Sequence, residues 1–170
     1  MKGYSRRAPQ KRKPRNIALV VTEGKTERIY FEGFRERYSS VEIMAPHCRP
    51  TDAIGLVEHC CKLIPEKGLD IEDGDLAICA FDVDENPRDN VLEAMTLAEE
   101  HGIRIALSNP CFEVWLALHY QEVRYTLSRS EAIALMGKNI PGYSKTGDYN
   151  AVLGPLRSDG IERARSIKEH

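Results

Sequence analysis

A chain of 170 residues, 42% hydrophobic and 29% charged, is long enough for one globular domain with a buried core. Five cysteines with no CxxC pair argue against a disulfide framework or a zinc knuckle and fit a reducing cytoplasm, and no apolar run is long enough to span a bilayer. The net charge of −2 is unevenly spread: residues 1–15 hold seven of the 24 basic residues, Arg12, Lys13 and Arg15 among them, and no acid, which leaves 17 basic residues against 26 acidic ones in the body. Such a tail can touch nucleic acid, or it can be a solvated extension. It leads into a strand without a small-residue cleavage site, so no secretory signal is expected.

In chain order, residues 16–22 form an apolar run rich in Val, the pattern of a buried strand. Thr22 to Thr26 is a turn in which Gly24 lets the backbone approach a ligand. A helix is predicted over about residues 25–38, with Tyr30, Phe34 and Tyr38 as its inner stripe. Val41 to Ala45 is a second strand. Thr51 or Asp52 then caps a helix whose stripe is Ile54, Val57, Cys61 and Ile64, and which Pro65 and Gly68 close.

Leu76 to Phe81 is the third strand and ends in Asp82-Val83-Asp84-Glu85-Asn86. A helix over about residues 88–100 carries Val91, Met95 and Ala98 inward and ends at His101-Gly102. Ile103 to Leu107 is the fourth strand, and Ser108-Asn109-Pro110 turns into an apolar helix from Cys111 to Tyr120. Ser128 or Ser130 opens a further helix, residues 140–147 are a Gly-containing loop, and two short helices, about 149–157 and 160–169, finish the chain. The last of these is expected to continue past His170.

Alternating strands and helices imply a parallel α/β sheet flanked by helices, followed by an α-helical C-terminal part. The organisation expected is a basic tail over 1–15, an α/β domain over 16–122 and a helical extension over 123–170 that packs on it. The strand ends then place Glu23, Asp82, Asp84, Ser108 and Asn109 along one rim, where open parallel sheets bind ligands.

Two aspartates at i and i+2 of a strand share a face, and carboxylates gathered with Glu23 and Glu27 suit Mg²⁺ or Mn²⁺. A strand-end aspartate also serves as a cap or turn residue. Asp82, Asp84 and Asn86 match the start of a calcium loop, but Pro87 stands where that loop needs Gly. The turn at Gly24 lacks the spacer of a phosphate loop, and Ser108 sits in no nucleophile elbow that would pair it with His101 or His119. Glu113, in an otherwise apolar helix, needs a metal or a cationic partner.

Glu23-Gly24-Lys25-Thr26-Glu27 after one strand and Asp82-Val83-Asp84 after another resemble the Toprim domain of topoisomerases, bacterial primases and OLD-family nucleases. The run from Val21 to Glu27 with Tyr30-Phe31, then Phe81 to Asp84, Ser108 to Leu116 with His119-Tyr120, and Gly142-Tyr143-Ser144-Lys145 is similar to the RloB-like family. That resemblance implies a metal-dependent nuclease acting on DNA or RNA in a prokaryotic anti-phage defence system, often encoded beside an AAA-type or ABC-type ATPase. It also implies two ions, one on Glu23, Glu27 and Asp82 and the other on Asp84 and Glu113. Lys145 would stabilise the transition state, with Lys25 the weaker match, and Glu23 would be a ligand or a general base. The alternative is a non-catalytic subunit that binds nucleic acid or a nucleotide through the same rim and partners an ATPase.

Overall fold

The computed structural model describes residues 15–35, 40–49 and 52–167. Arg12, Lys13, Tyr38, Thr51 and His170 lie outside them. Four strands, β1 (Asn16–Thr22), β2 (Val41–Met44), β3 (Leu76–Asp82) and β4 (Arg104–Ser108), form one all-parallel sheet in the order β2-β1-β3-β4. Helices α1 (Lys25–Glu32), α2 (Ala53–Glu66) and α3 (Arg88–Glu100) make the crossovers. Right-handed connections put α1 on one face and α2 with α3 on the other. The result is a Toprim-like α/β arrangement.

The two faces have separate cores. On one, Leu19, Val21, Cys79 and Phe81 alternate inward from the sheet against Leu56, Val57 and Cys60 of α2 and Val91 and Ala94 of α3. Each fully buried large side chain there contributes about 1.5–3 kcal/mol. The other core joins Tyr30 of α1 to Phe112 and to the C-terminal helices α4 (Glu113–Leu118), α5 (Arg129–Asn139), α6 (Asn150–Leu153) and α7 (Arg157–Ile167), with a short 3-10 turn, Gly154–Leu156, between the last two.

Helix α4 has only six residues and depends on its neighbours. Arg163 of α7 donates to the carbonyls of Leu118 and His119 at 2.7 and 2.8 Å, satisfying the open C-terminal end. The Arg157 guanidinium lies 3.8 Å above the Phe34 ring and ties α7 to the end of α1.

Several sequence expectations need correction. The inner stripe of α2 is Ala53, Leu56, Val57, Cys60 and Leu63, while Ile54, Cys61 and Ile64 are only half-buried beside it. The stripe is shifted because Asp52, whose side chain accepts from Gly55 N at 2.9 Å, makes Ala53 the first helical residue. Pro65 lies inside the last turn rather than after it. In α3 it is Ala94 that packs inward, and Met95 is exposed. Helix α1 ends at Glu32, six residues short of the expected end, and the apolar helix after β4 spans Glu113–Leu118 rather than 111–120.

Candidate metal centre at the sheet switch point

The chain leaves β1 toward β2 on one side and returns to β3 on the other. The direction reverses between β1 and β3, and a crevice opens at their carboxyl ends. Glu23 follows β1 and Asp82 ends β3, so both carboxylates enter that crevice. They lie in a cavity of about 230 Å³ that Glu27, Glu85, Glu113, Arg129 and Lys145 also line.

Glu23 is oriented by its surroundings. Its Oε2 accepts from Asp82 N and from Asn86 Nδ2, each at 3.2 Å. Asn86 is buried and fully engaged: its Nδ2 also donates to Asp82 O at 2.9 Å, and its Oδ1 accepts from Ala53 N at 2.7 Å. The start of α2 thereby fixes Asn86, and Asn86 fixes Glu23. Glu23 Oε1 and Asp82 Oδ1 are buried and have no hydrogen-bond partner. A carboxylate oxygen left this way is costly unless something else meets it.

Electrostatics agree. Burial pushes the Glu23 carboxyl up to about 7, and the neighbouring Glu85 carboxyl adds to the rise, against the amide of Asp82 and the side chain of Asn86, which lower it. Burial, then the charge of Glu27, pushes Asp82 up to about 8, with Arg129 pulling the other way. Glu27 is raised as well, by burial and then by Glu113. All three carboxyls are raised first by burial and then by neighbouring acids, so a cation among them would favour their ionised forms. Gly24 has an ordinary extended backbone at φ −106°, so it does not serve a left-handed turn. A Cβ there would collide with the Glu27 carboxylate, which folds back over it.

The strand reading put Asp82 and Asp84 on one face by the period of two. Instead β3 ends at Asp82 and the chain turns: Val83 N donates to Ser108 O at 2.9 Å and Asp84 N to Pro110 O at 3.3 Å. Asp84 is exposed and is gathered in by Arg129, a residue the sequence reading missed. Arg129 Nε and Nη2 donate to the two oxygens of Asp84 at 2.8 and 3.0 Å, Nη2 also reaches Asp82 Oδ2 at 3.1 Å, and Nη1 pairs with Glu85.

The signal for Arg129 was present. Ser128 and Glu131 form a capping box, which makes Arg129 the first residue of α5. A cation there opposes the helix dipole, a local conflict that the acidic cluster resolves.

Glu113 is buried at 1% exposure. Its Oε1 accepts from the Tyr143 hydroxyl at 3.2 Å and faces Lys145 Nζ at 3.6 Å. The partner required by its burial is thus a lysine from the loop 140–147. That loop folds back onto the first turn of α1, where Thr26 Oγ1 donates to Lys145 O at 2.8 Å. Lys25 is exposed at the rim of the same cavity. Ser108 and Asn109 share this end of the sheet but do not line the cavity; Asn109 borders a separate one of about 490 Å³ with Tyr125 and Ile167. Arg15 is exposed at the start of β1. His119 is buried in the second core, accepting from Tyr30 or donating to it at 3.2 Å, and no part of it enters the crevice.

Among the described residues no three His, Cys, Asp or Glu side chains converge as a finished metal cage. What fits a hard divalent cation is the donor chemistry: carboxylate oxygens only, two of them buried and unpartnered, on side chains fixed by second contacts. Among the described residues no helix is long and apolar enough to cross a membrane.

Comparison with known proteins found no matching curated protein and no matching solved structure. A family model described as RloB-like protein matches residues 18–170. That stretch includes both strand-end motifs, Arg129 and Lys145, and the chain belongs to the RloB-like family.

Proposed function

We propose that this protein is a Mg²⁺- or Mn²⁺-dependent phosphodiesterase of the Toprim type that cleaves DNA or RNA, serving a prokaryotic anti-phage defence system alongside an AAA-type or ABC-type ATPase. The observation that carries the reading is the pair of buried, unpartnered oxygens, Glu23 Oε1 and Asp82 Oδ1, in the crevice between β1 and β3. Glu23, Asp82 and Glu27 would hold the ion. Bound there, a divalent cation supplies a Lewis acid for a phosphoryl oxygen and a bound water of lowered pKa.

The chain's own residues supply the rest. Asn86 and the Asp82 amide hold one oxygen of Glu23 still and leave the other open. Lys145, kept at the cavity by Glu113 and by Thr26, presents a compact cation to a phosphate oxygen.

A second reading has an observation in its favour. Arg129 already neutralises part of the acidic cluster, which suits a subunit that binds nucleic acid without cutting it. Incubating the protein with single- and double-stranded DNA, RNA and short oligonucleotides, in Mg²⁺, Mn²⁺ or EDTA, separates the two. Cleavage that needs the metal and disappears in Asp82→Asn supports the enzyme. Retained binding of those same substrates without cleavage of any of them supports the binding subunit.

A further inference from the structure

The resemblance assigns two ions, the second shared by Asp84 and Glu113. The side chains are arranged differently. Asp84 gives both oxygens to Arg129, at 2.8 and 3.0 Å, and the same guanidinium holds Asp82 Oδ2 and Glu85. Such forked, charge-assisted contacts are among the stronger ones a carboxylate makes. Glu113 faces a different cation, Lys145, and accepts from Tyr143 with the same oxygen. The two carboxylates meant to share an ion thus face different cations, Asp84 through both oxygens and Glu113 through Oε1. Among the described residues, the fully buried carboxylate oxygens without a partner lie on Glu23 and Asp82, and Asp82 is 6% exposed.

We infer that the crevice takes one divalent ion, on the Glu23–Asp82 side, and that Arg129 holds the place of the second. Arg129 is then part of the site: a fixed charge delivered from the C-terminal helices by the Ser128–Glu131 capping box. Its planar fork engages Asp82 and Asp84 together, a geometry lysine cannot reproduce. The inference rests on the proposal that a divalent ion binds in this crevice, and the experiment separates the two.

Mn²⁺ is titrated into the purified full chain, and free ion is counted by electron paramagnetic resonance against total. One Mn²⁺ per chain is expected. Asp84→Asn should leave the count at one, because Asp84 serves Arg129 and not the ion; in a two-ion site the same change removes an ion. Arg129→Gln frees Asp84 and should raise the count toward two, with the first ion bound at least as tightly as before. Two Mn²⁺ per wild-type chain, or a count lowered by Asp84→Asn, overturns the single-ion site and leaves the proposed function standing. No Mn²⁺ bound to the wild type overturns both. Should Arg129→Gln not fold, the wild-type and Asp84→Asn counts decide alone.

Discussion

Asn86 illustrates how much of the site depends on one uncharged side chain. Every polar atom of its amide is used, and two of its three contacts orient Glu23 and the end of β3. Asn86→Ala is expected to weaken Mn²⁺ binding about 10–100-fold, the usual cost of losing a contact that orients a ligand, as calorimetry can read. Lys145→Met should lower cleavage about 10²–10³-fold while the Mn²⁺ count is unchanged. Lys145 is half-exposed but Glu113 is buried, so the change leaves that carboxylate with Tyr143 alone and the melting temperature should fall measurably, which the unchanged Mn²⁺ count separates from loss of the site. His119 predicts a pH effect away from the site. It sits between the Tyr30 hydroxyl and the Trp115 carbonyl, 3.2 and 3.0 Å away, and burial lowers its pKa below the ordinary 6.5. The unfolded chain therefore takes up a proton first as pH falls, and the stability that neutral His119 lends is present above 6.5 and lost below it. Glu23 works in the opposite direction. Its folded value of about 7 lies above the ordinary 4.5, so the metal-free protein loses stability as pH rises through that window. Asp82, raised to about 8, acts in the same direction, so thermal melts in EDTA should show Glu23→Gln reducing the fall of stability with rising pH without abolishing it, and His119→Gln removing the opposing contribution below 6.5.

At the scale of elements, the strands were legible and the helix faces less so. A strand with both faces covered reads as a plain apolar run, and β1 was read to the residue while β3 runs one residue further, to Asp82. A helix stripe has to be phased, and phase depends on where the helix starts. In α2 the cap at Asp52 sets that start, and the apolar residues are dense enough on both sides that Ile54 and Cys61 compete with Leu56 and Cys60 for the inner face. The corrected phase is testable by urea denaturation: Leu56→Ala should cost about 2–5 kcal/mol, as deletions in a closed core do. In α3, Met95→Ala should change stability by no more than about 0.5 kcal/mol, since Met95 is exposed. The loop after β3 was the least legible part of the site. Period-two alternation holds only while the strand lasts, and the bonds from Val83 and Asp84 to Ser108 and Pro110 end it at Asp82.

For the whole molecule, Glu23 and Asp82 were legible because each stands at a strand end of a parallel sheet, where topology brings separated segments together. The cations were harder to read. Arg129 and Lys145 come from the C-terminal part, and their approach is set by tertiary contacts of α5 and of the loop 140–147 that no local pattern encodes. Lys145 was reached through the resemblance, and Arg129, which belongs to no quoted motif, was not reached at all. The basic residues of the first fifteen face a body with an excess of acids, so nucleic-acid affinity should rest heavily on that tail. Removing residues 1–14 should flatten the slope of log affinity against log salt, measured by fluorescence anisotropy on a DNA or RNA oligonucleotide, and an unchanged slope would assign binding to the body. The central claim is narrower: the open oxygens of Glu23 and Asp82 exist to meet a cation. Anomalous scattering from a crystal grown with Mn²⁺ tests it most directly. The account predicts one strong peak within about 2–2.5 Å of Glu23 Oε1 and Asp82 Oδ1, the range of metal–oxygen bonds. A crevice without a peak, or a peak held by other residues, would contradict it.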